Sequence, residues 1–505
     1  MRNQSACLRL LIPLIGTFAL ANVPVVFAKE DASRIYDVSE SSELREAIAK
    51  IANDTANGQS WFENDYRPII IHISLDAESK KIALDMEDRL AGEAGFTEMV
   101  DLHRAIEEEI DSLQTRVTGR WMFTWTYGGK SLDEIMGDDP ISVVSDRARR
   151  SSVDPVDVAP VVIAAGHGHY YNYKYSDWRP HRALSNGILE DDVTPKFAEE
   201  LMYYMRLNGF PSVQLRPQTG LTHKPSGLPW GRIGARYFLE QSLPDQPGIW
   251  NSLSSSALAD RERREDIVSR PLYANHTSAP AIIHLHTNAA KASVSGARVY
   301  VHPGRPDSAR LGKLALCSMK ELIGSVERFG AFVVATDPHV ASDNAENSRA
   351  KVPSIIVEAA FHTNALDAEF IKDGEFQKLA MMGVAKAYRL YKEGAECDEF
   401  SIANEEVIEV PVATQASIPV RVKGNPVYPI RIKYLPSRCY KDPCGAVSTS
   451  LSDMAQVERF RIQHFCTKED GVKGPIEFQV TAKDFFGVAT GPKVFRLTCT
   501  PRRAS

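Results

Sequence analysis

The sequence predicts a mixed α/β fold made of three parts, and the order of its strand and helix patterns is the basis for this prediction. Residues 156–395 alternate apolar runs with amphipathic helices, which indicates a mixed, mostly parallel sheet flanked by helices. Residues 29–150 combine helical and extended patterns, as expected of an α+β domain. Residues 399–505 alternate apolar and polar residues with period two, which predicts a β-sandwich-like domain.

Residues 1–28 are expected to be a signal peptide that is removed on export. Arg2 and Arg9 accompany the apolar run LLIPLIGTFALANVPVVFA, and Val26 and Ala28 occupy the −3 and −1 positions of a small-residue cleavage site. A single membrane anchor is the alternative, although two prolines interrupt the run. No other stretch approaches the ~18 apolar residues of a spanning helix. We therefore expect an exported protein, periplasmic or secreted, without a transmembrane segment after cleavage.

Local patterns predict the elements of residues 29–150. Apolar spacing at Leu44, Ile48 and Ile51 predicts a helix, and the segments RPIIIHISLD and GRWMFTWTYGG are typical of strands. Lys80–Gln114 is rich in Ala, Leu, Glu and Met, so we expect one or two helices there. The charged, aperiodic stretch DRARRSSVDPVDVAP predicts a linker to the next domain.

The central domain begins with the strand VVIAA, followed by a helix with Thr194 as N-cap, Pro195 as first helical residue and Gly209 at its end. Further strands are predicted in PSVQLR, PAIIHLHT, GARVYVHP, AFVVAT and PSIIVEAAF, and helices in SARLGKLALCSMKELIGSVERFG and EFQKLAMMGVAKAYRLY. Residues 217–265 show little periodicity, and an insertion this long is expected to be a functional loop or lid.

Six cysteines follow the expected signal peptide, which favours disulfide bonds in an oxidising compartment. Cys439 with Cys444, and Cys466 with Cys499, are the simplest pairs in the C-terminal domain. Six cysteines nevertheless allow about 15 connectivities, and reduced buried thiols are the alternative.

The net charge of the chain and its distribution indicate which kinds of molecule the protein binds. The net charge of −6 argues against a nucleic-acid-binding protein. Residues 401–505, however, carry 15 Lys and Arg against 10 Asp and Glu. This excess suits an anionic polymer such as a cell wall, and an ordinary solvated surface explains it equally well.

Strand ends in the central domain carry groups that suit a metal ion. His167 follows VVIAA, and Glu190 precedes the predicted helix. His284 and His286 lie two residues apart in one strand and therefore face the same side. Glu358 lies inside the apolar strand IIVEAAF, where a lone carboxylate costs several kcal/mol and must be paired or bound.

These residue types are the ones that a zinc hydrolase needs. Catalytic zinc takes three His or carboxylate ligands and leaves a fourth position for water, whose pKa falls to about 7. A nearby glutamate then takes the proton and passes it to the leaving group. Because HExxH is absent, we do not expect a helix-borne metalloprotease. From these patterns alone, ordinary structural histidines are an open alternative.

The segment from about Pro160 to Tyr391 resembles the zinc-dependent N-acetylmuramoyl-L-alanine amidases of bacterial cell walls. The family's strand followed by Gly-His-Gly-Gly is matched by AAGHGH, and its glutamate before the first long helix is matched by Glu190. Its later motifs are matched, in order, by RPLYAN, HLHTNA, GARVYV and PSIIVEAAFHTN. The ordered series makes the resemblance specific, whereas any one motif is weak.

The resemblance implies that zinc is held by His167, Glu190 and His286, with Glu358 as catalytic general acid and base. The implied reaction hydrolyses the amide between the lactyl group of N-acetylmuramic acid and L-alanine, so peptidoglycan is the expected partner. A related zinc peptidase or deacetylase is the alternative, and a non-catalytic wall-binding protein on the same fold is another.

The chain also departs from the family pattern. Ala165 replaces a proline, His169 a glycine and His284 a serine. Either extra histidine could replace its neighbour as ligand, and His181 is a further candidate. Because the interval from His167 to Glu190 is long, Asp191 is the fallback ligand. Asn288 and Asn364 are expected to hold the motif loops in place.

Overall fold

The computed structural model describes residues 41–58, 67–76, 80–93, 96–111, 113, 121–131, 135, 159–403, 407–439 and 444–501. The expected signal peptide lies outside the described residues, as does most of the expected linker after Ser145. Among the helices of the described part, none combines the length and the apolar character that a bilayer span requires.

The N-terminal unit, which we define as the described part of residues 41–131, packs helices against a three-stranded sheet. Its elements are α1 (Ser41–Asn57), β1 (Ile71–Asp76), β2 (Lys81–Met86), α2 (Asp88–Glu93), α3 (Phe96–Asp111) and β3 (Met122–Tyr127). Strand β2 is antiparallel to β1 and parallel to β3. The helix prediction is wrong for β2, because Ile82, Leu84 and Met86 alternate towards the core with the period of a strand.

The central region contains a six-stranded sheet with long helices. Its first strands and helices are β4 (Val161–Ala165), β5 (Tyr170–Asn172), β6 (Asp177–Arg179), α4 (Glu190–Leu207), β7 (Ser212–Gln214), β8 (Thr222–His223), β9 (Leu228–Pro229), α5 (Ala235–Ser242), α6 (Pro247–Trp250) and α7 (Arg261–His276). The remaining ones are β10 (Ile282–Asn288), β11 (Arg298–Val301), α8 (Pro306–Gly324), β12 (His339–Val340), α9 (Ala345–Ser348), β13 (Ser354–Phe361), α10 (Ala365–Lys372) and α11 (Gly374–Glu393).

The strand order of this sheet is β12-β11-β13-β10-β4-β7. Only the β11–β13 pair is antiparallel in it, so the prediction of a mixed, mostly parallel sheet is confirmed. Strands β4, β10 and β13 are buried along their whole length, as their continuous apolar runs require. Because they are parallel neighbours, their carboxyl ends meet at one edge of the sheet, and the polar residues that follow them are brought together there.

Helix α4 begins earlier than predicted. It starts at Glu190, so Thr194 is not its N-cap and Pro195 lies inside the helix. A proline cannot donate to the carbonyl four residues before it, here that of Asp191. The Nη2 atom of Arg216 donates to that carbonyl instead, at 2.6 Å. The predicted end is confirmed, since Gly209 follows the helix with φ of +77°.

Two further predictions of the central region are corrected. AFVVAT forms only an isolated bridge between Val334 and Ala297, because β12 pairs with the edge of β11 instead. Residues 217–265 are not an irregular loop, since they contain the β8–β9 pair, α5, α6 and the start of α7. The spacing of apolar residues did not predict helix α7, because its buried face is largely charged. Arg264, Glu265 and Asp266 are all buried.

The C-terminal region is rich in strands, as predicted. Its elements are β14 (Ser401–Ile402), β15 (Val407–Pro411), β16 (Gln415–Pro419), β17 (Val422–Lys423), β18 (Ile430–Pro436), β19 (Val447–Leu451), α12 (Met454–Arg459), β20 (Arg461–Phe465), α13 (Asp470–Lys473), β21 (Ile476–Lys483) and β22 (Lys493–Thr500). Its five-stranded sheet has the order β15-β22-β21-β18-β19, and β15 pairs with β22 in parallel. Its core is continuous with that of the central region.

Disulfide bonds join the six described cysteines. Both predicted pairs, Cys439–Cys444 and Cys466–Cys499, are confirmed. The third bond, Cys317–Cys397, ties helix α8 to the segment that leads into the C-terminal region.

Candidate metal centre and active site

Three predicted ligands meet at the carboxyl edge of the central sheet. His167 follows β4, Glu190 is the first residue of α4, and His286 lies near the end of β10. The Nδ1 atom of His286 is 3.2 Å from His167 Nε2 and 3.2 Å from Glu190 Oε1. The last two atoms are 3.4 Å apart. All three residues are buried, and together they form the one group among the described residues that could hold a metal ion.

The spacing of these atoms fits zinc. Bonds of about 2.0–2.1 Å in a tetrahedral site place neighbouring ligand atoms about 3.3 Å apart. The observed separations of 3.2–3.4 Å agree with that value. Two imidazole nitrogens with one carboxylate oxygen are also a donor set that catalytic zinc uses.

The turn after β4 is shaped around the site. His167 has φ of +59°, a left-handed conformation that is uncommon outside glycine and is found at functional sites. Gly166 leaves room for its neighbour, because a Cβ atom there would lie 2.2 Å from Cε1 of His286. Gly168, at φ of +118°, completes the turn. The side chains His167 and His286 can therefore approach each other only with glycine at position 166.

Charged groups of both signs surround the three residues, and Nε of Arg182 lies 3.3 Å from both His167 Nε2 and Glu190 Oε2. Burial opposes ionisation of Glu190, but the hydrogen bond from His286 and the charge of Arg182 lower the pKa of Glu190 to about 2. Burial first, and then the charges of His286 and Arg182, lower the pKa of His167 well below its usual value, so its ring is neutral. Burial lowers the pKa of His286, but Glu346 and Glu190 raise it to about 9. The same carboxylates would stabilise a metal cation.

Glu358 lies on the neighbouring strand at the register of His286. It is fully buried, and burial raises its pKa although Arg104 and His286 oppose this. Among the described residues, no donor has the geometry of a hydrogen bond to either of its carboxylate oxygens. Its oxygen Oε1 forms an ion pair with Nη1 of Arg104 at 2.6 Å. The sequence predicted a buried carboxylate that must be paired, and the structure supplies an arginine from α3.

The central segment also matches known proteins. Residues 161–389 match the family model of N-acetylmuramoyl-L-alanine amidase. This segment is an amidase domain of that family. The family prediction made from the order of the motifs is therefore confirmed, and it covers a little under half of the chain.

Solved structures of amidases resemble part of the chain. N-acetylmuramoyl-L-alanine amidase AmiC2 of Nostoc punctiforme is 16% identical with a TM-score of 0.30, over 46% of this chain and 96% of that one. The CwlD amidase of Clostridioides difficile, solved with the GerS lipoprotein, is 14% identical with a TM-score of 0.30, over 47% and 100%. Ami1 of Mycobacterium abscessus is 14% identical with a TM-score of 0.29, over 46% and 98%.

Identities and TM-scores this low add nothing to what the family match shows. No curated protein matches the chain.

The alternative ligands of the amidase domain have other partners. Oδ1 of Asp191 accepts hydrogen bonds from the backbone N–H groups of Gly168 at 2.8 Å and His181 at 3.1 Å, so this carboxylate fixes the turn. His169 is 3.9 Å from the same oxygen. His284 faces Glu346 at 3.2 Å. None of the three belongs to the group of ligand atoms within the described residues.

Asn364 holds a loop, as expected, whereas the same role for Asn288 stays a prediction. Asn364 caps helix α10 by accepting from the N–H groups of Leu366 and Asp367, and its Nδ2 donates to the carbonyl of Ala292 at 2.8 Å. The Oδ1 atom of Asn288 accepts from the N–H of Ala289 at 2.9 Å.

Sequence analysis missed the residues that orient the two histidines of the amidase domain. Nδ1 of His181 is 2.9 Å from Nδ1 of His167, on the ring edge away from Glu190. Glu346 is 3.1 Å from Nε2 of His286 and also pairs with Arg270. His181 was noted only as a possible ligand, and no motif pointed to Glu346, which lies in the four-residue helix α9.

Proposed function

We propose that the chain is a zinc-dependent enzyme that hydrolyses the amide between the lactyl group of N-acetylmuramic acid and L-alanine in peptidoglycan. The observation that carries the proposal is the convergence of His167 Nε2, Glu190 Oε1 and His286 Nδ1 beside a buried glutamate, inside a segment of the amidase family. A bound zinc ion would supply polarisation of the substrate carbonyl and a lowered pKa for water.

The protein's own residues would hold the metal ion and transfer the protons. His167, Glu190 and His286 are the proposed ligands, and their partners fix which ring atoms face the centre. Glu358 is proposed to take a proton from the attacking water and to deliver it to the departing amide nitrogen. A raised pKa suits this double role, because the group must both accept and release a proton near neutral pH.

We further propose that the protein acts outside the cytoplasm, with residues 1–28 as its signal. The three disulfide bonds are consistent with an oxidising compartment. Peptidoglycan also lies outside the inner membrane, so an enzyme that acts on it must be exported. The boundaries of the N-terminal domain at 29–150 and of the C-terminal domain at 399–505 stay predictions from the sequence.

Metal content of the purified protein tests the proposal. We expect about one zinc ion per wild-type chain, with strong losses in His167→Ala and His286→Ala. Glu358→Gln should keep its zinc and lose turnover by at least about a hundredfold, the lower range for general acid–base catalysis. Full turnover in Glu358→Gln, or zinc retained by both histidine variants, would contradict the assignment.

A further inference from the structure

The N-terminal unit reaches into the active site. Arg104, on helix α3, forms its ion pair with Glu358 from outside the segment that matches the amidase family. Its guanidinium also lies over the ring of Tyr300, 5.0 Å from the centroid. Arg104 is 5% exposed and Glu358 is 0% exposed, so the pair is closed off from solvent.

Further polar contacts of α3 extend this interface. Nδ1 of His103 is 2.6 Å from Oδ2 of Asp343, and its Nε2 is 2.7 Å from the hydroxyl of Tyr127. At the rim, Nζ of Lys291 is 2.9 Å from Oε1 of Glu109. Asp343 and Lys291 lie in the amidase domain, so the contact joins two parts of the chain far apart in sequence.

Apolar packing completes the interface. Ile267 and Val268 of helix α7 and Ala345 of α9 belong to the hydrophobic core of the N-terminal unit rather than to that of the central sheet. Phe123 of β3 forms a parallel bridge with Ala341, next to β12. Buried apolar contacts, as well as ion pairs at the surface, therefore hold the N-terminal unit against the amidase domain.

This docking is incompatible with attack on a polymer. A general acid must come within about 3 Å of the amide nitrogen that it protonates. Arg104 occupies that approach to Glu358, and His167, Glu190 and His286 are each 5% exposed or less. The guanidinium of Arg104 lies against Oε1 of Glu358, and because an arginine cannot be deprotonated in a protein, it supplies no proton of its own for the leaving group.

We infer that the N-terminal unit is an autoinhibitory cover, in which Arg104 blocks Glu358 until the unit moves off the amidase domain. The inference that the contact inhibits the enzyme rests on the proposed function. The contact between Arg104 and Glu358 is observed whatever the function is. Peptidoglycan strands gain access only in the open form, and whatever binds the N-terminal unit better in that form activates the enzyme.

Full-length variants test the cover. Arg104→Ala should raise kcat/KM on soluble muramyl peptides by at least about tenfold. Glu109→Lys, which breaks the partly exposed ion pair with Lys291, should raise it roughly two- to fivefold, the range of one surface ion pair. Adding Lys291→Glu to Glu109→Lys restores opposite charges and should return the rate to the wild-type value. Asp54→Lys, an exposed charge reversal on helix α1, is the matched control and should change nothing.

Hydrogen exchange gives a readout that does not depend on turnover. Peptides from helix α3 and from residues 261–276 should exchange faster in Arg104→Ala and Glu109→Lys than in wild type, and Asp54→Lys should not differ. Unchanged exchange, or turnover that falls in Arg104→Ala, would overturn the cover and make Arg104 a supporting residue of the site. Faster exchange with no cleavage of muramyl peptides by any variant would support the cover and refute the proposed substrate.

Discussion

At the scale of single residues, the metal centre depends on partners that orient the ligands. His286 offers Nδ1 to the centre because Glu346 engages its Nε2, and Glu346 is held in turn by Arg270, which also pairs with Asp266. Such carboxylate–histidine pairs fix the ring and make it a stronger ligand. The order of motifs could reveal His167, Glu190 and His286. It could not reveal Glu346, because its contact with His286 depends on how the chain folds between β12 and β13.

Replacing Glu346 by Gln should weaken zinc binding by about 10- to 100-fold, the usual cost of losing a partner of a ligating histidine. Competition with a chromogenic chelator measures the affinity directly. Glu369→Gln is the matched control, since that carboxylate is exposed on α10 and pairs with Lys372 in a surface contact. Zinc affinity unchanged in Glu346→Gln would show that His286 needs no such partner.

At the scale of elements, the start of α4 shows what sequence patterns can and cannot predict. The apolar face of the helix and its glycine terminus were readable, whereas its first turn was misplaced because Pro195 usually marks a beginning. The turn is possible because Arg216, fully buried, donates to the carbonyls of Asp191 and Gly166. The hydrogen-bond donor that replaces the missing N–H of Pro195 comes from a different segment of the chain. The local sequence of the helix therefore cannot predict it.

Arg216→Ala should therefore destabilise the protein by about 3 kcal/mol or more, because several buried backbone carbonyls lose a charged donor at once. The midpoint of urea unfolding should fall, and zinc affinity should fall with it, since Arg216 donates to Gly166 and Asp191, which are the neighbours in sequence of the proposed ligands His167 and Glu190. Arg206→Ala, at the exposed end of the same helix, is the control and should shift the midpoint little. Equal shifts in both variants would refute this role for Arg216.

At the scale of the whole molecule, the alternation of strand and helix patterns predicted the central sheet, and period-two patterns predicted that the C-terminal region is rich in strands. Helix α7, which begins inside the insertion, was not predicted because charged rather than apolar residues form its buried face, and the role of residues 217–265 as a lid stays a prediction. The closeness of Arg104 to Glu358 was beyond prediction, because residues that are far apart in sequence meet only when separate units dock. The family match covers residues 161–389, so the N-terminal unit and the C-terminal region lie outside it.

The most direct test of the central claim is mass spectrometry of the products formed from purified muropeptides by the zinc-loaded, full-length protein, with Arg104→Ala included to remove the inferred block. The account predicts free stem peptides that begin with L-alanine and sugars that keep their lactyl group, with both products lost after chelation and regained on adding zinc. Cleavage inside the stem peptide, removal of acetyl groups, or products that persist without metal would contradict it.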